Sequence, residues 1–400
     1  MKKNKVIVLV IIMVIITSVV TFTVSNLIQI KLNDKIFVRA DKYEYLQELE
    51  YRFDKLLYLE EYIDDNYYKD TEEVDFDDFV IKGLFEALED PYSTYMTTEE
   101  YQKFVEINTG TYSGIGVIVT ESEDGYIEVV SPIDGTPGQA AGLKPGDRII
   151  KVDGIDVTTR KIDYVVTLIK GEEGTSVTLT IDSDDDGIFD VDITRARIVT
   201  KSVTSEVLED SVGYIRINIF DDKSYNEFKE NINGLLESNV ESLIIDVRSN
   251  PGGSLNEVIK IADLLLGEQI IVYTEDREGN REIERSDKNK INVPIAVLTN
   301  GGSASASEIL TAAVQDTNSG VVIGDTTFGK GLVQLSVPLK DGSAFKLTVS
   351  EYYTPNGVNI HGVGIKPNYD VEYIESKGYI VDEENDGVLE FATDYIKTVD

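Results

Sequence analysis

The sequence has no cysteine. That absence excludes a disulfide framework, a thiolate zinc site and a cysteine nucleophile. It has one histidine, His361. A zinc site made of several histidines is therefore excluded, and a Ser-His-Asp triad has a single candidate for its base. Positive charge is scarce: 37 Lys+Arg stand against 73 Asp+Glu, a formal net charge of -36. A phosphate-binding surface needs a basic face, so nucleic acid is excluded as the main partner. Any hydrolytic chemistry here draws its base from a carboxylate or a lysine. What is present suffices for folding. The chain has 400 residues, 42% of them hydrophobic, which is enough for packed cores. Its length predicts about two to three domains.

Lys2, Lys3 and Lys5 precede an apolar run from Val6 to about Val24. The run is long enough to span a bilayer. The basic flank places the N-terminus in the cytoplasm and the remaining chain outside. A cleaved signal peptide is the alternative. Thr23-Val24-Ser25-Asn26 matches a small-x-small cleavage site poorly. Residues 1–30 are accordingly read as a transmembrane anchor. A strongly acidic body suits an extracellular domain held off an anionic membrane.

Residues 31–105 read as a helical N-terminal region. Tyr45, Leu46, Leu49, Phe53, Leu56 and Leu57 recur at helical spacing between Tyr43 and Ile63. A second helix is expected from about Val74 to Leu88, stopped by Asp90-Pro91. From Gly110 to Arg195 the period changes to two. Gly114-Ile115-Gly116-Val117 opens a strand, and Ala140-Ala141-Gly142-Leu143-Lys144-Pro145-Gly146-Asp147-Arg148-Ile149 follows a variable loop. This order resembles a PDZ domain, assigned to residues 106–196. From Val203 strands and helices alternate, as in an α/β layered core with loops at strand C-termini.

Two loops of that core carry candidate chemistry. Ser303-Ala304-Ser305-Ala306-Ser307 lies between a buried strand and a helix. Helix N-terminal amides beside a serine there can stabilise an oxyanion, although each of the three serines also suits an N-cap. Gly324-Asp325-Thr326-Thr327-Phe328-Gly329-Lys330-Gly331 nearly matches a phosphate loop. Gly331 stands where a hydroxyl would bind magnesium, and Leu332 to Val337 alternates like a strand rather than opening a helix, so a P-loop is rejected. Lys330, flanked by Phe328 and Leu332, is expected to lose proton affinity by burial. A neutral lysine can deprotonate a serine.

Together these segments resemble the C-terminal processing peptidases, or tail-specific proteases. The series runs from Leu88–Tyr95 through the PDZ module, Arg248–Gly253, Ser303–Glu308 and Gly324–Gln334 to His361–Asn368. The resemblance implies a ClpP/crotonase-like α/β protease core at 197–400. It implies a Ser-Lys dyad of Ser305 and Lys330, with Gln334 holding the lysine and the backbone amides of Gly252 and Ala306 as oxyanion donors. It further implies a serine endopeptidase that cuts extracytoplasmic polypeptides near or from free C-termini and needs no metal or other cofactor. Asn368 departs slightly, standing where an Asp is common. His361 reads as structural. The PDZ turn Ser113, Gly114, Ile115, Gly116 and Val117 is expected to hold the substrate tail by its carboxylate. The rival reading is a non-catalytic PDZ scaffold that only binds partners. The 31–105 region and the chain end, Glu383 to Val399, are candidates for a homodimer contact. Asp182 to Asp190 begins like an EF-hand loop, but Ile193 replaces the twelfth ligand, so it is read as an acidic hairpin.

Overall fold

The computed structural model describes residues 3–27, 30–32, 35–37, 39–72, 74–122, 124–183 and 186–399. The chain divides into two units, Met1–Ile81 and Lys82–Asp400. In the first, helix α1 (Lys3–Leu27) contains Lys5–Phe22, with a mean hydropathy of 2.8. Among the described residues it is the one helix long and apolar enough to cross a membrane. Helix α2 (Ala40–Asn66) matches the expected Tyr43–Ile63 and extends past both ends. Helix α3 (Phe76–Glu86) gives way to a turn in which Asp90 accepts hydrogen bonds from Tyr92 N and Ser93 Oγ.

The second unit opens with a feature that local periodicity did not show. Thr94–Met96 forms strand β1, paired antiparallel with Ala344–Lys346. Its partner lies some 250 residues away, so the pairing leaves no local pattern. Residues 31–105 are therefore not wholly helical. Helix α4 (Thr98–Thr109) starts at a Thr97/Glu100 capping box and runs through the expected division at 105. It stops at Gly110, whose φ of 57° suits a residue without Cβ.

A β-rich module follows, built from β2 (Thr111–Gly114), β3 (Val117–Glu121), β4 (Ile127–Pro132), β5 (Arg148–Val152), α5 (Ile162–Ile169), β6 (Ser176–Ser183), β7 (Gly187–Thr194) and β8 (Ala196–Val199). The sheet order is β7-β6-β5-β4-β3, while β2 pairs with β8. Alternate residues point inward: Ile127 and Val129, Val177, Leu179 and Ile181 are all fully buried. Val165 and Ile169 of α5 join this core. The Asp182–Asp190 segment is the β6–β7 hairpin, with Asp182 opposite Ile188. Asp184 and Asp185 lie outside the described residues. Among the described residues no cluster of three or more acidic or histidine side chains is arranged to hold a metal.

The rest is a layered α/β core: β9 (Val203–Val207), β10 (Val212–Ile217), α6 (Ser224–Glu237), β11 (Ser242–Asp246), α7 (Leu255–Leu265), β12 (Ile270–Asp276), β13 (Arg281–Arg285), β14 (Ile295–Thr299), α8 (Ala306–Asp316), β15 (Val321–Gly324), β16 (Leu332–Pro338), β17 (Ala344–Tyr353), β18 (Tyr369–Asp370), α9 (Val371–Ser376) and α10 (Gly387–Ile396). The main sheet runs β9-β10-β11-β14-β15-β18, parallel except for β9. Strand β11 is buried at every position because both faces are covered. Leu243 and Ile245 pack into one core with α6, α7 and α8, and Ile244 into another with α9 and α10. Val388, Phe391, Ala392 and Ile396 of α10 are thus committed to this chain's own core. The apolar face of α10, within Glu383 to Val399, is accordingly covered by the chain itself. A second, antiparallel sheet runs β13-β12-β17-β16, with β1 on β17. The loops after β11, β14 and β15 leave the C-terminal edge of the parallel sheet together, where α/β sheets gather their sites.

Candidate active site

Those three loops are tied together by side chains from within them. After β11, Asn250 is fully buried and its Nδ2 donates to Ile217 O at 2.8 Å. Its backbone carbonyl accepts from Ala304 N at 3.0 Å and from Ser307 Oγ at 2.9 Å. After β14, Ser303 Oγ donates to Val247 O at 2.8 Å. Ser303 and Ser307 are both fully buried and both spoken for. Ser305 is neither. It is partly exposed and faces a cavity of about 280 Å³. The three serines left open by the sequence are therefore separated by their surroundings.

Ser305 sits at φ 55° and ψ -112°, a conformation that L-residues other than glycine avoid. It turns the chain sharply from the β14 loop into α8. Ala306 is the first residue of that helix, so its N–H lacks an intrahelical acceptor. It has no other acceptor among the described residues. Gly252 packs directly against this turn. A Cβ there would lie 2.8 Å from Ser305 Cβ and 2.9 Å from Ala306 N. The Gly252 amide, expected as an oxyanion donor, is engaged instead: it donates to Asn250 Oδ1 at 2.9 Å. The next amide, of Gly253, has no acceptor among the described residues, and Gly253 lines the cavity.

Lys330 enters the same cavity from the loop after β15. Burial pushes its amine below the usual lysine range, and the neighbouring Lys346 charge lowers it further, against Asp90 and Glu308. Its Nζ lies 4.8 Å from the centroid of the Tyr92 ring. No hydrogen bond joins it to Ser305 Oγ among the described residues; catalytic contacts are often loose without substrate. Gln334 lines the cavity too, but its Nε2 donates to Thr348 Oγ1 at 3.3 Å rather than meeting the Lys330 amine. His361 stands outside the cavity, exposed, with its ring 6.3 Å from that of Tyr92.

Sequence reasoning gave no role to Glu308, which the structure places at the centre. Glu308 is fully buried. Its Oε2 accepts from Ser305 N and Lys330 N, both at 2.8 Å. Its Oε1 accepts from Thr327 Oγ1 at 2.6 Å and Gly329 N at 2.7 Å. The spacing Ser305-x-x-Glu308 is that of a capping box, a signal readable in advance. Tyr352, also missed, donates from its hydroxyl to Ser305 O at 3.1 Å. The cavity walls are otherwise mostly apolar, including Leu255, Ile309, Leu332 and Val333.

At the β-rich module, Ile115 and Gly116 form the turn between β2 and β3. Ile115 O accepts from Gly138 N at 2.7 Å, and Gly116 O from Ile133 N and Thr136 Oγ1, each at 2.9 Å. The N–H groups of both residues have no acceptor among the described residues. Ser113 Oγ is buried without a hydrogen-bond partner among the described residues.

Residues 211–371 match the model of Peptidase family S41, residues 128–182 that of the PDZ domain, and residues 14–100 that of the activating protease CtpB N-terminal domain. Over 323 residues the chain is 39% identical to carboxy-terminal processing protease CtpA of Bacillus subtilis, covering 80% of this chain and 69% of that protein. It is 37% identical over 318 residues to the "Probable CtpA-like serine protease" of Staphylococcus haemolyticus, covering 78% and 64%. A solved structure described as a "Putative S41 protease" from Bacteroides fragilis superposes with a TM-score of 0.54 at 16% identity, covering 83% of this chain and 91% of that one, which shows a shared fold.

Proposed function

This chain belongs to the carboxy-terminal processing proteases, serine-type peptidases of family S41 with a PDZ domain, and on that premise we propose that Ser305 is its nucleophile and Lys330 its general base. Ser305 Oγ attacks the scissile carbonyl while the neutral Lys330 amine takes its proton. The amides of Ala306 and Gly253 hold the developing oxyanion. The protonated lysine then hands its proton to the leaving amine, and water hydrolyses the acyl-enzyme by the same base. The observation that carries the reading is the separation of the three serines. Ser303 and Ser307 spend their hydroxyls on backbone carbonyls. Ser305 alone among them faces the cavity that Lys330 lines.

The module at 106–196 reads the substrate tail. A turn whose carbonyls are taken and whose amides are free is a ready anion site. Ser113 Oγ, two residues before the turn on β2, lacks a partner among the described residues, and a buried hydroxyl left unpaired costs about 1–3 kcal/mol until a ligand supplies one. A terminal carboxylate fits both features. Helix α1 anchors the chain, with the catalytic core at 197–400 on the extracytoplasmic side. The aromatic and aliphatic side chains that α2 exposes, Tyr45, Leu46, Phe53 and Leu57 among them, suit a contact with a second copy.

The test uses the full-length chain in detergent with an unfolded protein as substrate. Cleavage is expected, and its loss in Ser305→Ala. A folded Ser305→Ala variant that cleaves at the wild-type rate would overturn the assignment.

A further inference from the structure

Two lysines line the cavity beside Ser305: Lys330 and Lys346. In a chain of net charge -36 that is not what composition alone would place there. Neither amine has an ion-pair partner among the described residues, and each rests on an aromatic ring instead. Lys330 Nζ lies 4.8 Å from the Tyr92 centroid, and Lys346 Nζ 5.8 Å from that of Phe104. Lys330 lies two residues before β16, and Lys346 lies on its partner strand β17, opposite Ser336.

The charged and titratable groups facing Lys330 can be named. Asp90 approaches from the turn after α3 and Glu308 from α8, and both favour its proton. Both carboxylates are already committed. Asp90 accepts from Tyr92 N and Ser93 Oγ. Glu308 accepts from four donors, two on each oxygen. Tyr352 faces the cavity from β17 as a phenol, its ionisation pushed well up by burial. His361 sets its ring edge-on to that of Tyr92, 6.3 Å away. Lys346 is the positive group that opposes the proton.

We propose that Lys346 is a positioning residue acting through Lys330: its ammonium shares the cavity with the Lys330 amine and so favours the neutral, proton-accepting form of that base. The proposal rests on the Ser305–Lys330 reading above. Two ammonium groups in one half-buried cavity repel each other, and a medium of low dielectric amplifies the repulsion. Burial lowers the proton affinity of both amines. The Lys346 charge lowers that of Lys330 further, while Asp90 favours the proton on both amines and Glu308 that on Lys330. With Lys330 as the neutral base of the Ser305–Lys330 reading, the charge left in the cavity is that of Lys346.

The sign follows. Removing the Lys346 charge leaves Lys330 protonated to higher pH, so the rising limb of the rate moves toward alkaline pH. The experiment measures kcat/KM against pH for the full-length chain in detergent, on an unfolded substrate peptide without acidic side chains. The variants are Lys346→Met and Lys346→Arg. Lys346→Met is expected to lose about 3- to 10-fold at neutral pH and to converge with wild type at the alkaline end. Lys346→Arg keeps a charge that does not titrate and is expected to keep the wild-type midpoint. An unchanged midpoint in Lys346→Met overturns the proposal, whether the loss is uniform across pH, as for a structural role, or confined to KM, as for contact with substrate. Thermal melts confirm folding, and Lys346→Gln replaces the Met variant if that does not fold. The parent reading fails separately: it falls if Ser305→Ala cleaves, whatever Lys346 does.

Discussion

The backbone amides of Ser305 and Lys330 donate to one oxygen, Glu308 Oε2, each at 2.8 Å. The two loops come from different strands, and one buried carboxylate fixes their relative position. A carboxylate only accepts, and four donors converge on it. Glu308→Gln puts an NH2 where donors point, so two of them lose their acceptor. The expected outcome is a loss of about 2–4 kcal/mol in denaturant melts. In the folded fraction kcat should fall about 100-fold with KM changed far less, because a misplaced base costs the transition state rather than binding. Wild-type kcat in Glu308→Gln would show that the shared oxygen does not set the geometry.

A second prediction comes from the Ser305 backbone, at φ 55° and ψ -112°. A non-glycine residue held there costs about 1–3 kcal/mol. Ser305→Ala keeps that strain and removes the hydroxyl, so activity should vanish with stability near wild type. Ser305→Gly removes both. It should be equally inactive yet more stable than Ser305→Ala, by about 1 kcal/mol. Melting the two side by side separates strain from chemistry, and equal stabilities would mean the turn stores none.

The parts of this molecule that were legible in its sequence share one property: their cause is local. The period of two in Val177, Leu179 and Ile181 showed which face of β6 is buried, and the continuous apolar run of β11 reflects helices on both faces. The ordered motifs marked Ser305 and Lys330. What was not legible depends on distant partners. Strand β1 exists only because Ala344–Lys346 pairs with it. The Gly252 amide was assigned to an oxyanion because nothing in the sequence shows the Asn250 side chain turning back to take it. Lys346 carries no motif meaning, and only the fold brings it to the wall that Lys330 shares. Glu308 lay between these cases: its capping-box spacing was readable, but not that its second oxygen reaches the Lys330 loop segment.

A third prediction concerns pH. The Lys330 amine is depressed, chiefly by burial and then by Lys346. As a base it must be neutral, so kcat/KM should rise with pH through its lowered value, and the rise should lie below the ordinary lysine range. Stability follows the same group. The folded state binds the proton less well than the unfolded chain, so the Lys330 contribution increases from its lowered folded value up to the unfolded lysine range and is lost as pH falls through the former. Lys330→Met removes this dependence. That variant should be inactive at every pH and no less stable than wild type at neutral pH. Activity that instead falls from neutral to alkaline pH would exclude a neutral lysine base.

The last prediction tests the tail site. Ile115 and Gly116 have both carbonyls occupied, and among the described residues both amides are free and the buried Ser113 Oγ has no partner. If a terminal carboxylate completes this turn, a peptide with a free C-terminus should bind more tightly than the same peptide amidated. About 10-fold is expected, the loss of one charge-assisted hydrogen-bonded anion. Ser113→Ala gives the sharper comparison. Deleting an unpaired buried hydroxyl should raise stability by about 1 kcal/mol, because the desolvation penalty disappears with the group. The same change should weaken binding of the free-tailed peptide while leaving that of the amidated one unaltered. Gain in one property and loss in the other is the signature of a polar group held unsatisfied for a ligand. Gly116 supplies the opposite control. Its φ is 74°, and a Cβ there would fall 2.4 Å from Thr136 Cβ. Gly116→Ala should therefore distort the turn and lower both stability and tail affinity. Calorimetry with the two peptides and thermal melts of the two variants measure all four quantities. Equal affinity for free and amidated tails in the wild-type chain would show that the open amides of this turn serve something other than a C-terminus.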